Sequence, residues 1–115
     1  MTPTPLDNPA DKLAGIVSQL YEIAANSTVP TDQRQSLLLK AHDLRGDLVA
    51  LVATQFTEKT DAYTQTMASL SKTIDALNQA EANIQKVIDV VNNVGQLAAS
   101  IDALLQEAAK IAAAA

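Results

Sequence analysis

The sequence predicts an all-α protein, an antiparallel helical bundle or hairpin of three to four helices. Alanine, the strongest helix former, is its commonest residue, at 21 of 115 positions. Residues that break helices are scarce: there are three Gly and four Pro, and three of the prolines precede residue 10. The middle of the chain carries apolar residues at alternating steps of four and three, the spacing of a coiled-coil seam. A β-sheet is therefore not expected.

Charge and composition exclude several classes of function. Apolar residues make up 48% of the chain, which is enough to build a core and too many for a disordered protein. Thirteen Asp and Glu against eight Lys and Arg give a formal net charge of −5. Nucleic acid is therefore not an expected partner, because binding it depends on neutralising phosphates with basic side chains. The same charge disfavours simple docking onto anionic lipid.

The chain reads as one domain, with residues 1–8 as a disordered lead and residues 9–115 as a single helical bundle. No basic, apolar leader of the secretory type begins the sequence, and no window approaches the roughly 20 apolar residues of a spanning helix. We therefore expect a cytoplasmic protein without a transmembrane segment. Export by a route that needs no signal peptide stays open.

The first helix is predicted over residues 9–25. Asn8 followed by Pro9 is a favourable start, because Asn suits the N-cap and Pro suits the first helical position. Apolar residues then recur at helical spacing, at Leu13, Ile16, Val17, Leu20 and Ile23. The polar stretch from Asn26 to Pro30 ends the helix, because the residue before proline is pushed out of the α region.

The next stretch allows two interpretations. It forms either two helices, over residues 31–56 and 61–92, or one long helix over residues 31–92 of roughly 90 Å. A turn would fall within residues 57–61, the most polar and β-branched segment available, although no Gly or Pro marks it. Compactness favours the turn, since a lone helix of that length needs another chain to cover it.

An apolar seam is the strongest pattern in the sequence, and we take it as the candidate interaction site. Glu81 alone interrupts it, either with its carboxylate in water or as a polar residue that specifies alignment with a partner. The steps between its members alternate between four and three, apart from the gap at Glu81. The seam consists of Tyr63, Met67, Leu70, Ile74, Leu77, Ile84, Ile88 and Val91.

A last helix is predicted over residues 96–113. The break before it falls at residues 92–95, where two Asn residues and Gly95 suit a left-handed helix end. Leu97, Ile101, Leu104 and Leu105 then lie at helical spacing. The seam could instead continue through Gly95 as one helix.

No catalytic, metal or cofactor site is expected. His42 is the only histidine and the chain has no Cys, so a metal would depend on carboxylates alone. Asp43 and Asp47 are spaced as helical neighbours, but no aromatic cluster accompanies them to build a pocket that raises a carboxyl pKa. Solvated helix faces explain such pairs better than acid–base catalysis does.

Function is therefore expected to be interaction rather than catalysis. The leading hypothesis is a non-enzymatic helical protein that uses the seam to self-associate or to bind a partner helix. A second hypothesis is an amphipathic protein of lipid or granule surfaces, or a membrane-active, pore-former-like one; it would make peripheral lipid contact. A third is an inhibitor or chaperone of a toxin or secreted protein. The sequence does not identify the partner, and it does not tell whether the seam is interface or internal core.

Overall fold

The computed structural model describes residues 8–54, 56 and 59–114, and within them the chain forms four α-helices and no strand. The predicted all-α fold is confirmed. Residues 1–7 of the predicted lead lie outside the described residues. The helices and one short 3-10 turn have the following bounds: α1 Ala10–Ala24, α2 Thr31–Val52, α3 Asp61–Ala82, the 3-10 turn Ile84–Lys86, and α4 Val87–Ala114.

Side chains hold α1 at both ends. The Asn8 carboxamide oxygen accepts a hydrogen bond from the backbone N–H of Ala10 at 2.8 Å, which is the predicted N-cap. The same carboxamide donates to the carbonyls of Leu51 and Thr54, at 3.0 and 3.1 Å, and so joins the start of α1 to the end of α2. At the other end Arg34 Nε donates to the Ala24 carbonyl at 2.9 Å. A cation at a helix C-terminus also complements the helix dipole.

The alternative of one helix over residues 31–92 is wrong. The second helix ends at Val52, four residues before the predicted end, and α3 begins at Asp61. Thr60 caps α3, because its hydroxyl accepts from the N–H of Tyr63 at 3.2 Å. The turn was expected within residues 57–61, of which 57 and 58 lie outside the described residues. Between the helices Phe56 is buried, its ring 5.9 Å from that of Tyr63.

The predicted break at residues 92–95 is also wrong, since the chain turns at Asn83. Asn83 has an extended backbone, with φ −144° and ψ 106°, and its side chain accepts from the N–H of Gln85 at 3.1 Å. Gly95 lies inside α4, where the helical spacing of buried Val90, Val94 and Leu97 continues. That spacing keeps an apolar face on the core, and burying it outweighs the weak tendency of the Asn and Gly residues to end a helix.

The four helices form a ring in the order α1, α2, α4, α3. Within the described part of the chain, α1 packs on α2 and α3, and α4 packs on α2 and α3, with no direct packing across either diagonal. The end of α2 and the start of α3 therefore lie at diagonally opposite corners of the ring. The molecule measures 52 × 21 × 18 Å.

One apolar core fills the space between the helices. Its largest side chains come from all four of them and are almost completely excluded from solvent: Leu13, Ile16, Leu20, Leu37, Leu44, Leu51, Leu70, Leu77, Leu97, Ile101 and Leu104. Fully burying one such side chain contributes about 1.5–3 kcal/mol. The core therefore accounts for the compact shape without a second chain.

Two threonines of α3 are also fully buried. The Thr73 hydroxyl donates to the carbonyl of Ser69 at 2.8 Å, one turn earlier in its own helix. The Thr66 hydroxyl donates in the same way to Ala62 at 2.8 Å and also lies 3.1 Å from the carbonyl oxygen of Ser100 on α4. Both polar groups are thus satisfied, as buried hydroxyls must be.

Candidate interaction surface

The predicted seam residues do not share one environment. Tyr63, Leu70 and Leu77 are buried in the core. Four others are half-buried at its edge: Met67, Ile74, Ile84 and Val91. Ile88 is 48% exposed. Most of this seam is therefore occupied within the chain, and its role as an interaction site stays a prediction.

The buried positions of α3 and α4 follow a heptad of a different phase. In α3 the predicted Met67 and Ile74 are replaced in the core by their neighbours Thr66 and Thr73. In α4 the core takes Val87 and Val90 in place of Ile84 and Ile88, because the turn at Asn83 changes the direction of the chain. Each set alternates steps of three and four: Tyr63, Thr66, Leu70, Thr73, Leu77 and Ala80, then Val87, Val90, Val94, Leu97, Ile101 and Leu104.

Glu81, the predicted register residue, is exposed. Its carboxylate accepts a hydrogen bond from Gln19 Nε2 on α1 at 3.2 Å, and Asn78 Oδ1 lies 3.5 Å from the same nitrogen. Glu81 therefore contributes a solvated contact between α1 and α3. Its position corresponds to the solvated alternative rather than to a buried polar residue.

The outer face of α2 carries the largest concentration of exposed apolar side chains in the described residues. Four of the six large apolar residues that are strongly exposed belong to it: Leu38, Leu39, Val49 and Val52, at 45%, 68%, 72% and 67% exposure. On a helical period Leu38, Leu39 and Val49 share one side of α2, away from buried Leu37 and Leu44. The name α2 outer face is used here for Leu38, Leu39, His42, Arg45, Gly46, Val49 and Val52.

Gly46 lies in the middle of the α2 outer face, and nothing in the bundle requires a glycine there. A Cβ atom built at this position meets no atom within 4 Å. Glycine in a helix interior costs about 1 kcal/mol relative to alanine. Because it has no side chain, however, it lets another helix backbone approach closely.

The charges around the α2 outer face are unevenly placed. Arg45 and His42 lie within it, whereas Asp47 lies toward α4, where burial first and then the charges of Asp102 and Asp43 raise the pKa of its carboxyl. The face therefore has one permanent positive charge among its members, with the exposed carboxylate of Asp43 at its border one turn from Leu39, while the chain as a whole carries −5. It is apolar, slightly cationic and open at its centre.

A polar groove between α3 and α4 is a weaker candidate for a binding site than the α2 outer face. It has a volume of about 280 Å³ and is lined mainly by exposed polar residues, among them Lys72, Asp75, Asp89 and Asn92. No buried polar side chain points into it from the lining residues, so it has no fixed group to select a ligand. In the described part of the chain no three His, Cys, Asp or Glu residues are close enough to hold a metal ion, and His42 is exposed.

Helical periodicity does not predict the α2 outer face, because it assigns a single apolar side to each helix. The signal was present as adjacent apolar residues, in Leu37-Leu38-Leu39, Leu48-Val49 and Leu51-Val52. Neighbours in a helix point about 100° apart, so a core on one side cannot take both members of such a pair. Runs of adjacent apolar residues in a helix with one core side thus indicate a second apolar face.

None of the helices in the described part of the chain is both long enough and apolar enough to cross a bilayer. No protein-family model matches the chain, and neither the curated proteins nor the solved structures contain a match.

Proposed function

We propose that this protein is a non-enzymatic interaction protein that binds an amphipathic helix of another protein on the α2 outer face. The observation that carries the proposal is the exposure of Leu39 and Val49, at 68% and 72%, on a bundle whose core is already closed. Burying large apolar side chains on a partner would stabilise a complex by about 25 cal/mol for each Å² removed from water. The proposed binding surface is therefore the α2 outer face and not the seam that the sequence predicts on α3 and α4.

Charge indicates the kind of helix that fits. Arg45 is the permanent charge within the face, so a carboxylate beside the apolar stripe of the partner would pair with it. One such carboxylate suffices, because a strongly acidic partner would be repelled by the net charge of −5. The partner helix is therefore apolar on one side, with an acidic residue near its centre and a small gap opposite Gly46.

A second copy of the chain fits this face less well. If two copies of α2 packed antiparallel around Gly46, the two-fold axis would bring both Arg45 side chains to the same edge of the contact. Like charges at that distance oppose association, and no carboxylate of the face lies between them to compensate. We therefore expect the partner to be a different protein.

The test uses two synthetic helical peptides of about 21 residues, with Leu and Val at heptad positions and either Glu or Lys at the central flanking position. Fluorescence anisotropy should show binding of the Glu peptide and several-fold weaker binding of the Lys peptide, in proportion to an exposed ion pair. Val49→Glu should abolish binding. The control Ile111→Glu changes an apolar residue that is also exposed, at 41%, but lies on α4, and should leave binding unchanged.

A pair of glycine variants tests the close approach. Gly15→Ala and Gly46→Ala both replace an exposed helical glycine with no neighbour within 4 Å, and each should raise the free energy of unfolding by about 0.5–1 kcal/mol. Only Gly46→Ala should weaken the peptide, because only Gly46 lies in the α2 outer face. Equal affinity for both variants would count against helix docking at this position.

Vesicles separate this proposal from action at a lipid surface. Flotation with phosphatidylcholine vesicles, with and without phosphatidylglycerol, should leave the protein in the unbound fraction. Binding to vesicles that Val49→Glu abolishes, together with no affinity for either peptide, would favour the lipid-surface hypothesis instead.

A further inference from the structure

One of the two core columns of α3 continues through the turn at Asn83 and into α4 at an unbroken spacing of seven. The other is half-buried after the turn and is replaced in the core by Val90, Leu97 and Leu104. Six core positions spaced by seven residues pass across the turn, and all six are buried: Thr66, Thr73, Ala80, Val87, Val94 and Ile101. A second column, Tyr63, Leu70 and Leu77, continues at the same spacing to the half-buried Ile84 and Val91. A hairpin does not require this continuity, because a turn frees the second helix from the phase of the first. A continuous helix that pairs along one face does require it.

The turn itself has little to prevent such a helix. In its four residues, Asn83 to Lys86, there is neither Gly nor Pro, and no described residue of the chain has a positive φ. The residues after Asn83 are already helical, first in the 3-10 turn and then in α4. Only the extended backbone of Asn83 separates the two helices.

The hydrogen bond between α3 and α4 joins positions that are symmetric about Asn83. Thr66 and Ser100, which meet at 3.1 Å, each lie 17 positions from it in the sequence. Two straight helices packed antiparallel around residue 83 would make the same contact, with Thr66 of one copy opposite Ser100 of the other. The core contacts of the bundle would then be conserved, but α4 would come from the second chain.

We propose that the chain forms an exchanged dimer in which Asn83 becomes helical, α3 and α4 join into one helix, and each α4 packs into the bundle of a second copy. Exchange of this kind is a low-cost route to a dimer, because it re-uses contacts that the monomer already has. The occupant of the exchanged position is a second copy of this chain. The proposal does not depend on the α2 outer face, which lies on another helix.

Two substitutions at the turn should shift the equilibrium in opposite directions. Asn83→Ala removes the side-chain cap of Gln85 and improves helix propensity, so it should raise the dimerisation constant by about tenfold or more. Ile84→Pro should abolish the dimer. Proline at the first helical position suits the hairpin and keeps the preceding residue extended, but it cannot continue a helix from α3. Ile84→Ala removes the same side chain without that restriction and is the matched control.

The decisive measurement is a distance within one chain. Because the protein has no Cys, Gln65→Cys and Ala103→Cys place two spin labels on exposed positions of α3 and α4, 38 positions apart. Labelled chains are diluted into a large excess of unlabelled chain, refolded together from guanidinium at high concentration, and separated by size. In the monomer the labels lie on neighbouring helices, whose axes are about 8–10 Å apart. In the exchanged dimer they lie on one helix, roughly 57 Å apart at 1.5 Å per residue.

A long distance confined to the dimer fraction, and enriched by Asn83→Ala, is the expected result. The proposal is overturned if the dimer fraction keeps the short distance, which would indicate side-by-side association. It is equally overturned if Asn83→Ala yields no dimer at any concentration while its circular dichroism shows a folded bundle. The measurements on the wild type and on Asn83→Ala remain decisive even if Ile84→Pro fails to fold.

Discussion

The two helical hairpins of this bundle are closed in different ways. Between α1 and α2 the chain turns over residues 25–30, where the Asn26 side chain accepts from the N–H and hydroxyl of Thr28 and Val29 is buried. Between α3 and α4 it turns on Asn83 and a single 3-10 turn. Side chains from outside the turn, Asn8 and Arg34, also fasten α1 to α2. The first hairpin is thus built to stay closed, whereas the second depends mainly on its packing.

The packing next to each turn differs as well. Near the first turn the core receives large aliphatic side chains, such as Leu20, Ile23 and Leu37. Nearest Asn83 it receives the smaller Ala80 and Val87, with the fully buried Leu77 six residues before the turn. Because stabilisation rises with the apolar area buried, the same length of helix contributes less beside the second turn. A turn with few signals in the sequence therefore lies beside smaller core side chains, which favours the proposed exchange of α4 between copies.

The largest expected difference comes from cavities beside the two turns. Leu20→Ala, next to the first turn, should lower the free energy of unfolding by about 3 kcal/mol, because the site is fully buried and a large side chain is removed. Val90→Ala, next to the second turn, removes less volume and should cost about 2 kcal/mol or less. Guanidinium denaturation followed by circular dichroism measures both. Equal losses would remove the contrast between the hairpins.

Variants of Asn8 distinguish its two roles in the first hairpin, which are the cap of α1 and the hydrogen bonds to the end of α2. Asn8→Ala should cost about 1–2 kcal/mol, since it removes an N-cap acceptor and two donors to α2 and the segment after it. Asn8→Asp keeps the acceptor but sets a carboxylate against the carbonyls of Leu51 and Thr54, so it should destabilise the protein comparably. If Asn8→Asp instead unfolds at the same guanidinium concentration as the wild type, the cap alone matters.

In the second hairpin the buried hydroxyls can be removed one at a time. Thr73→Val should raise the free energy of unfolding by about 1 kcal/mol, because the hydroxyl bonds only to its own helix and a methyl group would be buried in its place. Thr66→Val should raise the free energy of unfolding by less, since the hydroxyl of Thr66 also contacts Ser100 on α4. Thermal melts of the two variants under one buffer condition compare them directly, and a larger gain for Thr66→Val would contradict this assignment.

The smallest effect concerns the contact that joins the hairpins, between α2 and α4. Burial, and then the neighbouring charges of Asp102 and Asp43, raise the pKa of Asp47 above its usual value. The ionised form is therefore disfavoured in the folded protein, and the stability that the protonated form provides is lost as the pH rises through the folded pKa. Asp47→Asn should melt slightly higher than the wild type at pH 7, and the difference should fade below about pH 4. An advantage that persists unchanged at pH 3 would rule out this electrostatic cause.

Much of the fold could be read from the sequence, because its strongest local signals are also the ones that tertiary structure uses. Asn8 and Pro9 predict the start of α1, and the stretch from Asn26 to Pro30 predicts its end. The turn at Asn83 could not be predicted, since its neighbours favour a helix and a heptad passes through it. The predicted break at Gly95 and its Asn neighbours is wrong for the opposite reason, because burial of Val94 and Leu97 outweighs a weak helix-ending signal.

The candidate surface was harder to predict than the fold. Apolar periodicity identifies side chains that need cover, but it does not tell whether the cover comes from the same chain. Tyr63 and Leu70 fit the predicted seam and are covered internally, while Leu39 belongs to no seam and is left exposed. Core and interface can be told apart only when the neighbours of each helix are known, and these follow from the diagonal placement of α2 and α3.

The diagonal placement of α2 and α3 also has a consequence for folding during synthesis. By the time residue 54 has emerged from a ribosome, α1, α2 and both carbonyls that Asn8 binds are outside it, so the first hairpin can close before α3 has emerged. Because α3 packs on α1 and not on α2, the place beside α2 stays open until α4 has emerged as well. For that interval the α4 of a chain on a neighbouring ribosome could fill the same place, so the spacing of ribosomes along one messenger would set how often each chain completes its own bundle.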